Sequence, residues 1–475
     1  EGAGGFGDDI EGIVKTNGFY NPYPSIADEV LRSVSPKGYI RGNWIGYQRD
    51  AEPLLYWYWR IIMNGCPCVF WWRWDGIGIW HGYLAPDFEP YAATAEMDRD
   101  TEVVRQGLGD LLIQADREDN GLALLYSVAM AQADRLPDSG SFGGVRLAHE
   151  TWVNLTRAAG FGFRYVTDRQ LEAGELRRGV RVLVLPFTRA LSDKTVEEVK
   201  AFVEAGGTVI ADLRPGDFTE HLARREKPAL DELFGVNHAA QSNVEPGPVK
   251  IASTLGGQEL KVEIPKIRVE RGVTLSDGKA LTQVGDTPLL VTREIGRGRA
   301  LLLNMAVADL AAVEASDKGP EARRFLAALY RACGVSSPIT VDSDDPQVQL
   351  STGAWRAGKL LVYGVQMRNF RYESGRYRVQ IAQPMHVYDL KDGKYLGKRS
   401  EVNLPAVRTR FLAFSPEKVT PVAAALDRKT YVPGDRVVLR MAPGKGNPEG
   451  LYAVGLRVYD PSGAEQLWAR RPVVL

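Results

Sequence analysis

The sequence lacks several features that would assign it to a simple class of protein. Its three cysteines, Cys66, Cys68 and Cys333, are too few for a disulfide framework. No window approaches the roughly 18 to 20 uninterrupted apolar residues of a membrane-spanning helix, so none is expected. Lys and Arg total 59, as do Asp and Glu, and this net charge of zero argues against a nucleic-acid partner.

Two further absences concern metal sites and the start of the chain. Cys66 and Cys68 have no nearby Cys or His that would complete a metal site. We therefore expect buried, unpaired thiols, with no metal and no cofactor. The chain begins with Glu1 rather than Met, which indicates either a removed leader or an internal piece of a longer protein.

What is present fits an ordinary globular chain with several domains. The 475 residues are 44% apolar and 25% charged, which excludes bulk disorder and leaves room for about three domains. Changes in pattern predict α/β regions at 1–117 and 118–342, followed by two antiparallel β-regions at 343–417 and 418–475.

Strands alternate with helices in the first two regions, as in parallel α/β folds. The first region is rich in aromatic residues, and its pattern predicts strands at 38–47 and 68–74 and helices at Ala51–Met63 and 101–115. The second region predicts an open parallel sheet with helices on both faces, interrupted by a β-rich insertion at about 244–291. Its expected strands are 121–126, 163–166, 180–185, 208–211 and 300–304.

The second region contains no motif for nucleotide or amidotransferase chemistry. No G-x-G-x-x-G loop follows a strand, and Pro186, Phe187 and Thr188 after the third strand offer no nucleophile. We expect this region to serve packing and self-association.

The last two regions show the alternation and tight turns of antiparallel β-structure. The final region is short for a sandwich of about 100 residues, so we expect it to be incomplete. Its turns at 431–435 (YVPGD) and 459–463 (YDPSG) resemble those of macroglobulin-type, immunoglobulin-like modules.

Four short stretches resemble the beta-galactosidases of glycoside hydrolase family 42. They are YNPYP at 20–24, GYIRGNW at 38–44, FWWRW at 70–74 and WHG at 80–82. The resemblance implies that residues 1–117 are the C-terminal part of a (β/α)8 barrel. It also implies that 118–342 is the family's flavodoxin-like trimerisation domain.

The resemblance also implies a catalytic defect. A retaining glycosidase needs two carboxylates about 5 Å apart. The alignment puts Asn43 at the position of the nucleophile, and an amide cannot form the glycosyl ester. The acid/base strand has no room, because fewer than 40 residues precede the first of these barrel strands. Asp75, directly after the last candidate barrel strand, is the remaining candidate catalytic residue, although an Asp before Gly is commonly a turn residue.

Aromatic side chains cluster in the first region and suggest contact with carbohydrate, since aromatic faces stack on sugar C–H groups. A barrel core or a subunit interface would concentrate aromatics equally well. Arg73 can organise the mouth of the barrel without catalysis, and His81 can serve structure instead of a substrate hydroxyl. The candidate substrate-binding residues are Trp44, Trp72, Arg73, Trp74, Trp80 and His81.

These observations favour a non-catalytic, glycoside-hydrolase-like protein that acts in homo-oligomeric assembly, carbohydrate binding or both, in an extracellular or periplasmic location. One alternative is an active retaining glycosidase whose remaining barrel is absent from this sequence. Another is an extracellular structural subunit of rings or filaments.

Overall fold

The computed structural model describes residues 6–22, 25–75, 82–135, 144–372 and 374–475. Over these residues the protein is a mixed α/β fold with parallel and antiparallel sheets. Two parallel α/β units are followed by an antiparallel β-unit and a C-terminal segment.

The first unit is a small parallel sheet whose helices lie on one face. Its elements are α1 (Ile10–Thr16), β1 (Phe19–Tyr20), α2 (Ala27–Val34), β2 (Ile40–Ile45), α3 (Ala51–Met63), β3 (Cys68–Trp71), α4 (Ala92–Asp100), α5 (Gly109–Gln114) and β4 (Asp116–Arg117). Strands β1, β2 and β3 pair in that order, all parallel, whereas β4 joins a different sheet.

The helix expected over residues 101–115 is interrupted. A π-helical turn at Val104–Leu108 contains Gly107 at φ 125°, and α5 begins only at Gly109. A Cβ atom on Gly107 would lie 2.9 Å from the Cβ of Ala453 in the C-terminal segment. The prediction of one regular helix was wrong, because Gly107 adopts a positive φ that other residues rarely adopt and packs closely against Ala453.

The second unit is a seven-stranded sheet of order β11-β12-β13-β8-β7-β5-β6. Its elements are β5 (Leu122–Tyr126), α6 (Val128–Ala133), α7 (Val145–Ala158), β6 (Arg164–Thr167), α8 (Asp168–Glu172), β7 (Val182–Leu185), α9 (Asp193–Glu204), β8 (Thr208–Asp212), α10 (Asp231–Phe234), β9 (Val236–Leu255), β10 (Gln258–Leu275), β11 (Lys279–Val284), β12 (Thr287–Ile295), β13 (Gly298–Leu303), α11 (Leu310–Glu314) and α12 (Gly319–Ala332). The parallel strands β6, β5, β7, β8 and β13 have the flavodoxin-like order, and we call them the flavodoxin-like sheet.

Apolar side chains enter both faces of this sheet because successive residues of a strand point to opposite sides. Leu122 and Leu124 of β5 pack in a core with α7 and α12. Ala123 and Leu125 pack in a second core with α9. The hydroxyl of Ser192 accepts a hydrogen bond from the amide of Thr195 (3.0 Å) and so caps the start of α9.

The insertion differs from its predicted limits. Strands β9 and β10 form a long antiparallel hairpin that begins at Val236, before residue 244. Strand β12 belongs to the main sheet, where it pairs with β13, because Leu289, Leu290 and Val291 are all buried there. The insertion is therefore the hairpin alone.

The remaining strands are antiparallel. The third unit contains β14 (Ile339–Asp342), β15 (Leu350–Ala357), β16 (Leu360–Met367), β17 (Arg376–Asp389), β18 (Lys394–Pro405) and β19 (Thr409–Ser415), and β4 pairs with its edge strand β15. The C-terminal segment forms two separate pairs, β20 (Ala423–Leu426) with β21 (Leu439–Ala442) and β22 (Ala453–Leu456) with β23 (Arg471–Val474). The immunoglobulin-like module stays a prediction.

The three cysteines are free thiols, but they differ in burial. Cys66 is buried, as expected, and burial raises the pKa of its thiol. Cys68 and Cys333 are only half-buried. Cys68 lies on the same face of the first sheet as Trp44 and Phe70. Across the described part of the chain, no helix combines the length and apolarity needed to cross a membrane.

Candidate functional site

One face of the β1–β3 sheet is aromatic, and no element among the described residues covers it. Pairing of Phe19 with Ile40 and of Trp44 with Phe70 puts these four side chains on the same face, since strand residues alternate between faces. Phe19 is 43% exposed and Ile40 is 53% exposed. We call this surface, together with Trp72 just beyond β3, the aromatic face.

Trp44 and Trp72 form the centre of the aromatic face. The Trp44 ring lies 5.3 Å from that of Phe70 and meets Trp72 edge to face at 5.9 Å. Tyr47 stacks on Trp72 with the ring centres 6.0 Å apart. These contacts hold Trp72 in place although it is 41% exposed, which makes it a rigid apolar surface.

Trp74 lies close by and is also presented to solvent. It stacks almost parallel on Tyr83, at 5.0 Å, and Tyr83 in turn donates a hydrogen bond from its hydroxyl to Asp98. Trp71, by contrast, packs on the edge of Tyr83 and joins the core beneath the sheet. The two neighbouring residues Trp71 and Trp72 thus point to opposite sides, as strand geometry requires.

Arg73 and Asp75 form an ion pair beside these tryptophans. The Arg73 guanidinium donates to the Asp75 carboxylate at 2.7 Å, and both side chains are partly exposed. The backbone of Arg73 has φ 72°, in the left-handed region that residues other than glycine rarely adopt. Trp80 and His81 lie outside the described residues, so their part in the site stays a prediction.

Asn43 does not lie on the aromatic face. Its side chain is fully buried on the opposite side of β2, where its amide donates to Asp28 Oδ1 at 2.7 Å. Asn64 donates to the other oxygen of Asp28 at 3.1 Å. The structure therefore separates Asn43 from Trp44, Trp72 and Asp75, and an acidic residue in its place would not face the tryptophans.

Asn43 and Asp28 belong to a buried polar network that joins the first two units. Arg157 of α7 donates to Asn64 at 2.9 Å and also to Glu29, which accepts from Arg32 at 2.8 Å. All of these groups except Arg32 are at least nine-tenths buried. Sequence reasoning missed this network, because Asp28 and Glu29 at the start of an amphipathic helix predict only a solvated first turn.

The electrostatics of this network follow from its burial. Burial raises the pKa of Asp28 to about 7, and it lowers that of the nearby Arg117 to about 9. Burial also acts to raise the pKa of Glu29, but the guanidiniums of Arg32 and Arg157 more than offset it and hold that pKa below its usual value. Within the described ranges, no group of three or more His, Cys, Asp or Glu side chains is arranged to hold a metal ion.

The site thus combines exposed aromatic rings with one ion pair. Stacked indole rings suit the apolar face of a sugar, and Arg73 and Asp75 supply a donor and an acceptor for hydroxyl groups. Asp75 lies four residues after the end of β3 and is paired with Arg73. The exposed rings and the ion pair together form the candidate binding surface of the described residues.

Comparison with known proteins finds one matching family model and several structures with a similar fold. Residues 173–318 match the beta-galactosidase trimerisation domain. The fold resembles a beta-galactosidase from Bacillus circulans sp. alkalophilus, with a TM-score of 0.66 and 14% identity, covering 87% of this chain and 62% of that one. It also resembles Gan42B, a GH42 beta-galactosidase from G. stearothermophilus, here as a catalytic mutant, with a TM-score of 0.62 and 13% identity, covering 86% and 61%.

A third similar structure acts on a different sugar by its name. It is alpha-L-fucosidase isoenzyme 2 from Paenibacillus thiaminolyticus, with a TM-score of 0.54 and 14% identity, covering 82% of this chain and 62% of that one. No curated protein sequence matches the chain. The chain thus spans about three fifths of the length of these structures and resembles the C-terminal part of family 42 glycoside hydrolases.

Proposed function

We propose that this chain is a carbohydrate-binding, glycoside-hydrolase-like protein that assembles as a homo-oligomer outside the cytoplasm and does not itself catalyse hydrolysis. The aromatic face, with Trp72 at its centre, is the binding surface. The single observation behind the proposal is that Asn43 faces a buried network while the exposed tryptophans lie beside one paired carboxylate, Asp75.

Sugar binding at the aromatic face is tested by calorimetric titration with galactose and with galactose-containing oligosaccharides. Trp72→Ala removes the stacking surface, so we expect affinity to fall about tenfold or more. Trp468 is a matched control, because it is 74% exposed but lies in the C-terminal segment. Equal losses for Trp72→Ala and Trp468→Ala would contradict the proposal.

The non-catalytic part of the proposal is tested by assaying a panel of aryl glycosides. We expect no turnover above that of buffer with the purified chain. Robust turnover that disappears in Asp75→Ala would overturn the proposal and make Asp75 the catalytic group.

Homo-oligomeric assembly is supported by the match of residues 173–318 to a trimerisation domain. Light scattering coupled to size-exclusion chromatography should give a mass at least twice the 52.4 kDa of one chain. A strict monomer at working concentration would contradict this part of the proposal.

A second candidate function is favoured by the exposure of Phe19 and Ile40, which would lie inside a complete barrel. In this alternative, further strands from outside this sequence or from another chain cover the aromatic face and complete an active retaining glycosidase. The mass of the intact native chain distinguishes the two, since a value far above 52.4 kDa supports the alternative.

A further inference from the structure

A cavity of about 260 Å³ lies in the second unit, outside the carboxyl ends of β7, β8 and β13. Ligands of open α/β sheets bind in the crevice beyond the carboxyl ends of the strands. Here the long β9–β10 hairpin closes over that crevice, and Ser242, Val244 and Glu270 of the hairpin contribute to its lining. The cavity shares no residue with the aromatic face.

The floor of the cavity consists of charged side chains that are almost entirely buried. They are Arg189, Asp212, Arg214 and Glu270, each less than a tenth exposed. Burying a charge is costly unless the charge is paired and hydrogen-bonded. These groups therefore form an ordered polar network rather than part of the solvated surface.

The two guanidiniums are already neutralised. Arg189 donates to Asp217 at 2.9 Å, and Arg214 donates to Glu270 at 2.8 Å and to the carbonyl of Ala239 at 2.9 Å. Glu270 accepts a further bond from the hydroxyl of Ser242 at 2.8 Å. A third guanidinium, that of Arg268, also lines the cavity and donates to Asp309 at 2.8 Å. An anionic ligand would therefore find every arginine of the lining already paired with a carboxylate.

Two residues next to the cavity adopt left-handed backbone conformations. Phe187, two residues after β7, has φ 41°, and Arg214, two residues after β8, has φ 44°. Such conformations cost about 1–3 kcal/mol each in a residue other than glycine and cluster at functional sites. Asp212 holds one of these turns in place, since its carboxylate accepts from the amide of Phe187.

The lining is apolar as well as polar. Phe187, Val244, Ala306 and Ala308 provide hydrocarbon surface opposite the charged floor. The volume far exceeds the roughly 30 Å³ share of one water molecule. Mixed polar and apolar walls with internally balanced charges suit a compact, uncharged molecule that carries several hydroxyl groups, because a hydroxyl both donates and accepts.

We propose that this cavity in the second unit is a second ligand site, which binds a small uncharged polyol of about monosaccharide size. A hydroxyl group of the ligand donates to the hydroxyl oxygen of Ser242, which is exposed at the edge of the cavity, and the hydrocarbon face of the ligand packs on Phe187. This site is independent of the proposed sugar contact at the aromatic face.

The test uses the full chain, ligand-observed saturation-transfer NMR and calorimetric titration with galactose, glucose, mannose and glycerol. Inorganic phosphate and putrescine serve as anionic and cationic probes. Ser242→Trp covers the mouth from an exposed position, and Ala308→Leu fills the interior. Asn243→Trp is the matched control, since it adds the same bulk one residue along β9 and therefore on the opposite face.

We expect at least one polyol to bind, with affinity about tenfold weaker in Ser242→Trp and in Ala308→Leu, and within about twofold of the parent in Asn243→Trp. Thermal unfolding of each variant checks that it folds. If Ala308→Leu does not fold, the comparison of Ser242→Trp with Asn243→Trp tests the proposal. Absence of polyol binding would overturn the proposal. So would binding that survives both variants but is lost in Trp72→Ala, which would place the sugar at the aromatic face alone. Phosphate or putrescine binding that Ser242→Trp abolishes would overturn the assignment of an uncharged ligand.

Discussion

The two parallel sheets of this chain are covered to different extents. In the flavodoxin-like sheet, every residue of β5, β7 and β8 is buried, with helices on both faces. In the β1–β3 sheet, only the face toward α2 and α3 is packed, and the aromatic face is open. Parallel sheets are normally covered on both sides, and this difference in coverage is the basis for proposing the aromatic face as the binding surface.

The largest expected effect comes from breaking the network that holds the two units together. Arg157→Met removes one of the two guanidiniums that pair with Glu29, which is 1% exposed and would keep only Arg32, and it also leaves the buried amide oxygen of Asn64 without its donor. We expect the free energy of unfolding to fall by about 3–5 kcal/mol, measured by chemical denaturation.

A surface arginine provides the control for this variant. Arg324 pairs with Asp342 at 2.9 Å, but its side chain is largely solvated. Arg324→Met should therefore cost less than about 1 kcal/mol. Similar losses for the two variants would mean that the buried network does not couple the first unit to the second.

The next prediction measures the difference in coverage directly. Leu124→Ala opens a void between the flavodoxin-like sheet and its helices and should cost about 2–5 kcal/mol. Ile40→Ala on the aromatic face should cost less than about 1 kcal/mol, because this side chain is already half in solvent. If Ile40→Ala cost as much as Leu124→Ala, the aromatic face would be covered in solution by other strands or by a second copy.

Much of this contrast could be predicted from the sequence, and part of it could not. Apolar runs such as 121–126 and 180–185 are local patterns, and they predicted a parallel sheet with helices on both faces. The aromatic cluster was also visible, but which side each residue faces depends on register. Alternation puts Asn43 and Trp44 on opposite sides of the predicted strand at 38–47. Only the structure shows that the side of Asn43 is the buried one.

Tertiary contacts account for what sequence reasoning missed. Asp28 is buried because α7 and the chain around Asn64 surround it, and Gly107 breaks a helix because Ala453 approaches it. The cavity beneath the β9–β10 hairpin depends on turns at Phe187 and Arg214, whose left-handed backbone no residue preference indicates. These contacts join segments far apart in the chain, where periodicity carries no information.

A third prediction concerns Asn43 and pH. Asn43→Asp replaces an amide donor to Asp28 by a second carboxylate in the same buried site. We expect a loss of about 2–3 kcal/mol at pH 8, because two like charges cannot both ionise there without penalty. Asn237→Asp, at an exposed position of β9, is the control and should change little.

The pH dependence follows from the pKa of Asp28. Its folded-state pKa of about 7 lies above its ordinary value of 3.8, so the folded protein holds a proton that the unfolded chain has released between these values. The Asp28 contribution to stability is therefore full below about pH 4, falls as the pH rises toward 7 and then levels off. Asn43→Asp should steepen this fall, and its cost should shrink at pH 4. A cost independent of pH would show that the two side chains do not interact.

The smallest expected effect is that of Asp75→Ala on the open side of the same sheet. Its ion pair with Arg73 is largely solvated, so we expect the free energy of unfolding to change by less than about 1 kcal/mol. Loss of the pair also frees the Arg73 side chain, which lies beside Trp72 and Trp74 in sequence. Sugar affinity should therefore fall only a few-fold, less than in Trp72→Ala, because stacking on the rings supplies most of the contact. If Asp75→Ala abolished binding while Trp72→Ala did not, hydrogen bonding by the ion pair rather than aromatic stacking would define the site.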